Sequence, residues 1–141
     1  MAIKQLSVFV DNTQGSLHGI TDALAQAGVD LRSMCVADTS NFGIVRMITT
    51  EPDRAKEILE AAGYAANVRR VNAFAIPDTP GGLSHALNIL EGHGVNIEYM
   101  YALITSDAGK AYTVMRTGST DATDEILREN GIELLDEASL H

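Results

Sequence analysis

Hydrophobic positions along the chain recur with two periods, and the switches between them mark out its elements. Across residues 3–10, Leu6, Val8 and Val10 alternate with Ser7 and Phe9, the period-two pattern of a strand with one face buried. Leu17, Ile20, Leu24 and Ala27 then recur at helical spacing, with Thr13 expected as N-cap and Gly28 as the stop. Residues 29–37 and 42–49 read as strands joined by the turn formers Asp38-Thr39-Ser40-Asn41. Thr50-Glu51-Pro52-Asp53 has the capping hydroxyl, early proline and acids of a helix start. Ala55, Ile58, Leu59 and Ala62 give that helix its apolar stripe, Gly63 ends it, and residues 65–71 form a fourth strand.

The same order then repeats. Residues 71–76 predict a strand, and Pro80 falls at the start of a helix whose core face is Leu83, Ala86, Leu87 and Leu90. Gly92 and Gly94 stop it. Residues 95–104 and 110–116 read as strands around a Ser106-Asp107-Ala108-Gly109 hairpin turn. A helix over 119–130, carrying Ala122, Ile126 and Leu127, and a short strand over 132–135 complete the chain. An offset of 66 positions (81 − 15) sets Gly81 on Gly15, Leu83 on Leu17, Leu90 on Leu24, Gly94 on Gly28 and Met100 on Met34. One βαββαβ unit is therefore written twice, over 1–70 and 71–141, with almost no linker. Each half has about 70 residues, a size at which a lone core is marginal, so packing on a neighbour is expected. The fold class expected is α+β: two ferredoxin-like units with antiparallel sheets and helices on one face.

Composition narrows the function. A hydrophobic content of 45% supports a folded chain, and a net charge of −9 argues against nucleic acid or an anionic membrane as partner. RNA-recognition modules share the element order, but they need exposed aromatics and basic residues, and aromatics are only 5% here. Cys35 is the single cysteine, which excludes an intrachain disulfide and a cysteine-rich metal site. No apolar run reaches the roughly 18 residues of a membrane span and no signal peptide is legible, so cytoplasmic residence is expected.

Candidate chemistry gathers at the two strand-to-helix turns, Val10-Asp11-Asn12-Thr13-Gln14-Gly15-Ser16-Leu17 and Ile76-Pro77-Asp78-Thr79-Pro80-Gly81-Gly82-Leu83. A helix N-terminus offers unpaired N–H groups and partial positive charge, and glycines without Cβ let a carboxylate approach. The ammonium of an amino acid would need acceptors, which Asn12 and Asp30 offer in the first half and Asp78 and Asn96 in the second. A tight strand-to-helix connection also needs such residues, with no ligand.

These two turns, together with Gly28-Val29-Asp30-Leu31 and Gly94-Val95-Asn96-Ile97, resemble the ACT domain family of small amino-acid-binding regulatory modules, in register over nearly the whole chain. The chain is similar to a stand-alone tandem ACT protein. Gln14 departs from the family pattern, where proline is usual. The resemblance implies that the two sheets join edge to edge into one eight-stranded sheet, with ligand sites at the seam where the turn of one domain meets the second strand of the other. One would combine Asn12, Gly15, Ser16 and Leu17 with Asn96, Ile97 and Met100. The other would combine Asp78, Gly81, Gly82 and Leu83 with Asp30, Leu31 and Met34. The first pairs two amides and the second two carboxylates, which repel without a cation between them, so the Asn12/Asn96 site is expected to be tighter for a neutral amino acid.

Other residues offer less. His18 and His85 fall on helix faces away from the leucine stripes, and with His93 they form no metal set. Cys35 reads as a small buried hydrophobe, and the five methionines as core. Glu98 is expected on the strand face of Asn96, with Tyr99 and Tyr101 alternating, lining a pocket or packing on a neighbouring sheet. Arg69-Arg70 reads as a solvated strand end. The function expected is a non-catalytic, cofactor-free regulatory protein, a homodimer or other homo-oligomer, that binds an amino acid and signals to a metabolic enzyme in trans. The alternatives are a small ferredoxin-like enzyme, for which no nucleophile, base and orienting group are legible, and a protein–protein interaction module.

Overall fold

A computed structural model describes residues 2–38, 42–104 and 107–140. The expected turn positions 39–41 and Ser106 lie outside the described residues. The described chain has seven strands and four α-helices: β1 (Ile3–Asp11), α1 (Ser16–Gln26), β2 (Leu31–Asp38), β3 (Phe42–Thr49), α2 (Pro52–Ala61), β4 (Ala65–Pro77), α3 (Gly82–Gly92), β5 (Ile97–Leu103), β6 (Lys110–Thr117), α4 (Thr120–Glu129) and β7 (Glu133–Leu134). It divides into two compact units, one built on Lys4–Arg69 and the other on Arg70–Ser139.

In the first unit, β3 pairs antiparallel with both β1 and β2, giving the order β2-β3-β1-β4. Alternate residues of β1 and β3 (Leu6, Val8 and Val10; Val45 and Met47) face the helices. There they bury against Ile20 and Leu24 of α1 and Ala55 and Leu59 of α2. Each fully buried leucine or isoleucine in such a layer stabilises by about 1.5–3 kcal/mol. The second unit repeats the plan with β6 between β4 and β5, and β7 on the other side of β4. Its core is Phe74, Ile76, Ala86, Leu90, Met115 and Leu127. These are the two α+β ferredoxin-like units the hydrophobic pattern predicts.

The strand count is seven, not eight, because the strands expected at 65–71 and 71–76 are one strand of 13 residues. Arg69 and Arg70 are thus mid-strand, and Arg70 is ion-paired with Asp121 at 3.0 Å. Helix starts also differ from expectation. The N-cap of α1 is Gly15, and Thr13 instead bonds Ser16 through their hydroxyls at 2.9 Å. The N-cap of α2 is Glu51, not Thr50. Pro80 precedes the Gly81 N-cap of α3 and lies outside the helix. A short 3-10 helix (Glu137–Leu140) follows β7. Among the described residues no helix is long and apolar enough to cross a membrane.

Candidate functional site

The two glycine turns fold alike. In each, the residue three before the helix closes a short turn: Ser16 N–H donates to Thr13 O at 3.3 Å, and Gly82 N–H donates to Thr79 O at 3.1 Å. Gly15 and Gly81 then take φ of 86° and 88°, left-handed values that disfavour any residue with a Cβ. At Gly82 a Cβ would collide with the Pro77 carbonyl oxygen. Neither α1 nor α3 has a side-chain cap or an acid in its first turn. By contrast α4 is capped by Ser119, whose Oγ accepts from Ala122 N–H at 3.3 Å, and both α2 and α4 carry an aspartate in the first turn. The glycine-turn helices therefore keep an uncapped N-terminal end, the kind that a carboxylate favours. Leu17 and Leu83, expected in the core, are instead 41% and 37% exposed beside these turns.

The second group of predicted residues lies elsewhere. Asp30 and Asn96 stand just before β2 and β5, where Leu31 pairs with Thr49 and Ile97 with Thr117. The turns stand at the other end, where Asp11 pairs with Phe42 and Pro77 with Lys110. Seven residues of β3 or β6 separate the ends, about 23 Å at 3.3 Å per residue. Within a unit the structure thus gathers Asn12, Gly15, Ser16 and Leu17, or Asp78, Gly81, Gly82 and Leu83, and keeps them from Asp30 or Asn96. Leu31 and Met34 pack on the core of the first unit, and Ile97 and Met100 on that of the second.

Both second strands carry a bulge at matched positions, Leu31/Ser33 and Ile97/Tyr99. Arg32 and Glu98 are the extra residues, so the expected strict alternation of Asn96, Glu98, Tyr99 and Tyr101 is broken. Arg32 reaches Asp30 at 3.6 Å, and Arg116 reaches Glu98 at 3.8 Å. Tyr99 and Tyr101 stack on each other, ring centroids 6.5 Å apart. Cys35 is half-buried rather than buried.

Clefts lie at both ends. Beside the first turn, Phe9, Asp11, Ser16, Phe42, Gly63 and Tyr64 line one of about 420 Å³. The matched cleft of the second unit, about 330 Å³, has Lys110 and Glu133 where the first has Phe42 and Ala65. Those two form an ion pair at 2.9 Å, and the Glu133 hydrogen bond raises the Lys110 pKa above the usual lysine value. The aromatic lining of the first cleft went unread in the sequence, where Gly63-Tyr64 signals only a helix stop. Asn96 lines two clefts at the other end, of about 440 and 580 Å³. Among the described residues no group of three or more His, Cys, Asp or Glu is placed to hold a metal ion.

The sequence profile described as an ACT domain pair matches residues 1–141. Protein BT0572 from Bacteroides thetaiotaomicron has a similar structure, with a TM-score of 0.92, 36% identity, and 99% of this chain and 96% of that one covered. The ligand-free regulatory subunit of aspartate kinase from Thermus thermophilus shares the fold at a TM-score of 0.68 and 14% identity, covering 91% of this chain and 92% of that one. Its counterpart from Thermus flavus gives 0.62 and 16%, covering 89% and 90%. A search of curated proteins returns no match.

Proposed function

The chain belongs to the ACT domain pair family, and on that premise we propose that it is a non-catalytic regulatory protein that binds a small amino acid and reports it to a metabolic enzyme in trans. The observation that carries this reading is the matched state of the two glycine turns. Both α1 and α3 open on left-handed glycine with no side-chain cap and no acid in the first turn. An amino-acid carboxylate is the ligand group that such ends attract.

The ammonium needs an acceptor from elsewhere. Because Asp30 and Asn96 lie at the far end of their own units, a complete site takes its turn from one ACT unit and its acceptor from a different one. The sets are Asn12, Gly15, Ser16 and Leu17 with Asn96, Ile97 and Met100, and Asp78, Gly81, Gly82 and Leu83 with Asp30, Leu31 and Met34. Asp30 is drawn toward Arg32, whereas no described side chain engages Asn96, which favours the Asn12/Asn96 set for a neutral amino acid. An output delivered in trans parallels the aspartate kinase regulatory subunits of the same fold, and association into homo-oligomers is the expected response to ligand.

A thermal-shift screen of the twenty amino acids at millimolar concentration tests this, since a ligand that binds only the folded state raises the melting temperature by mass action. One or two hits are expected, with Asn96→Ala costing more affinity than Asp30→Ala. A flat screen refutes amino-acid binding. The reverse order of the two variants refutes the assignment of the tighter site.

A further inference from the structure

The two units differ where their matched helices α2 and α4 begin. In the first unit Arg54, in the first turn of α2, spans to the end of α1. Its Nη2 donates to the Ala27 carbonyl at 2.7 Å, and its Nη1 bonds Glu51 at 3.1 Å. In the second unit the matched position (122 − 54 = 68) is Ala122, and a cleft of about 580 Å³ lies there. It is lined by His93, Asn96, Glu98, Ser119 and Ala122, among others. His93 stands where Ala27 stands (93 − 27 = 66), and no described residue donates to its carbonyl.

Charge changes in the same sense. In the first unit Arg32 and Arg54 pair with Asp30 and Glu51. In the second, Glu98 replaces Arg32, and Glu91 lines the adjoining cleft with Asn96. Among the described residues the one cation paired with these carboxylates is Arg116, its Nε 3.8 Å from Glu98 Oε2. His93 Nδ1 lies 2.8 Å from the Ile89 carbonyl and donates to it, so that ring nitrogen is engaged within its own helix. The residues that line the cleft thus bring a helix-end carbonyl and a carboxylate to it.

We propose that this second-unit cleft binds a guanidinium group, carried by free arginine or by an arginine side chain of a partner protein. The first unit shows the fit within one chain: a planar fork donating to the same helix-end carbonyl. A guanidinium presents several donors in a fixed plane and is more weakly hydrated than an ammonium, so it suits spaced acceptors better. The cleft shares Asn96 with the proposed amino-acid site but requires neither glycine turn.

The test is an amide-NMR titration of the full chain with N-acetyl-argininamide, and with N-acetyl-lysinamide as control, at fixed ionic strength. Saturable shifts at residues 93–98 and 118–122 are expected with the arginine probe, and roughly tenfold weaker binding with the lysine probe. Ala122→Arg, at an exposed helix position, places its own side chain in the cleft and abolishes the response, while Glu98→Gln weakens it. Free arginine titrated in parallel separates the two sources. Tenfold tighter binding than the amide assigns a small molecule, and equal binding assigns a side chain. Absence of saturable shifts at these amides, or an undiminished response in Ala122→Arg, overturns the proposal. Because the probes carry no free carboxylate or ammonium at the α-carbon, that failure is distinct from a flat amino-acid screen.

Discussion

Two matched threonines make opposite predictions for one substitution. Thr117 ends β6 in the second unit, and its Oγ donates to Asn72 Oδ1 at 2.9 Å and lies 2.9 Å from Thr123 Oγ. Asn72 completes the network by donating to Asp124 Oδ1 at 2.7 Å and to the Thr120 carbonyl at 2.9 Å. All four side chains are buried. Thr49 occupies the same place at the end of β3 (117 − 49 = 68), equally buried, but Leu6 and Ala55 stand where Asn72 and Thr123 stand. Among the described residues its hydroxyl has no partner. Thr117→Val strips from Asn72 Oδ1 the one donor it has among the described residues, and from Thr123 its acceptor. Orphaning buried groups costs roughly 1–3 kcal/mol each, so a loss of about 2–4 kcal/mol is expected. Thr49→Val removes a hydroxyl that burial already penalises and keeps the shape, so a change between neutral and a gain of about 1 kcal/mol is expected. Urea unfolding of both variants, followed by circular dichroism and read at unchanged m-value, measures the difference. If Thr49→Val is destabilised as much as Thr117→Val, the network is not what makes the second threonine worth keeping, and the reasoning fails.

Three further outcomes follow from the turns and the ion pair. Gly82→Ala sets a Cβ against the Pro77 backbone, so it should cost more than about 2 kcal/mol by urea unfolding. Gly81→Ala, strained only by its φ of 88°, should cost about 1–2 kcal/mol. Lys110 is raised above its unfolded pKa by Glu133, so its contribution is fully present below the unfolded value and is lost as pH rises through the folded one. NMR titration of Lys110 Cε should show that raised value and its return to the ordinary range in Glu133→Gln; an unmoved titration would mean that the 2.9 Å contact does not persist in solution.

What the sequence determined by itself is the repeat, the order of the elements and the two turns. Each is carried by contacts between residues near in the chain: the 3.6 and 2.0 periods, and glycines that alone tolerate a positive φ. Ile20, Leu24, Ala86 and Leu90 were legible as core on those grounds. What only the tertiary structure decided involves partners distant in the chain. Nothing local at Arg69-Arg70 ends a strand, so whether β4 continues depended on what pairs with it. The bulges at Arg32 and Glu98 exist only against β3 and β6. Leu17 and Leu83 carry the helical period, yet no element covers them fully. The contrast between Arg54, reaching 27 residues back to Ala27, and Ala122 beside an open cleft is equally invisible to periodicity. So is the separation of each turn from Asp30 or Asn96, because position along a strand becomes distance only once the strands are paired.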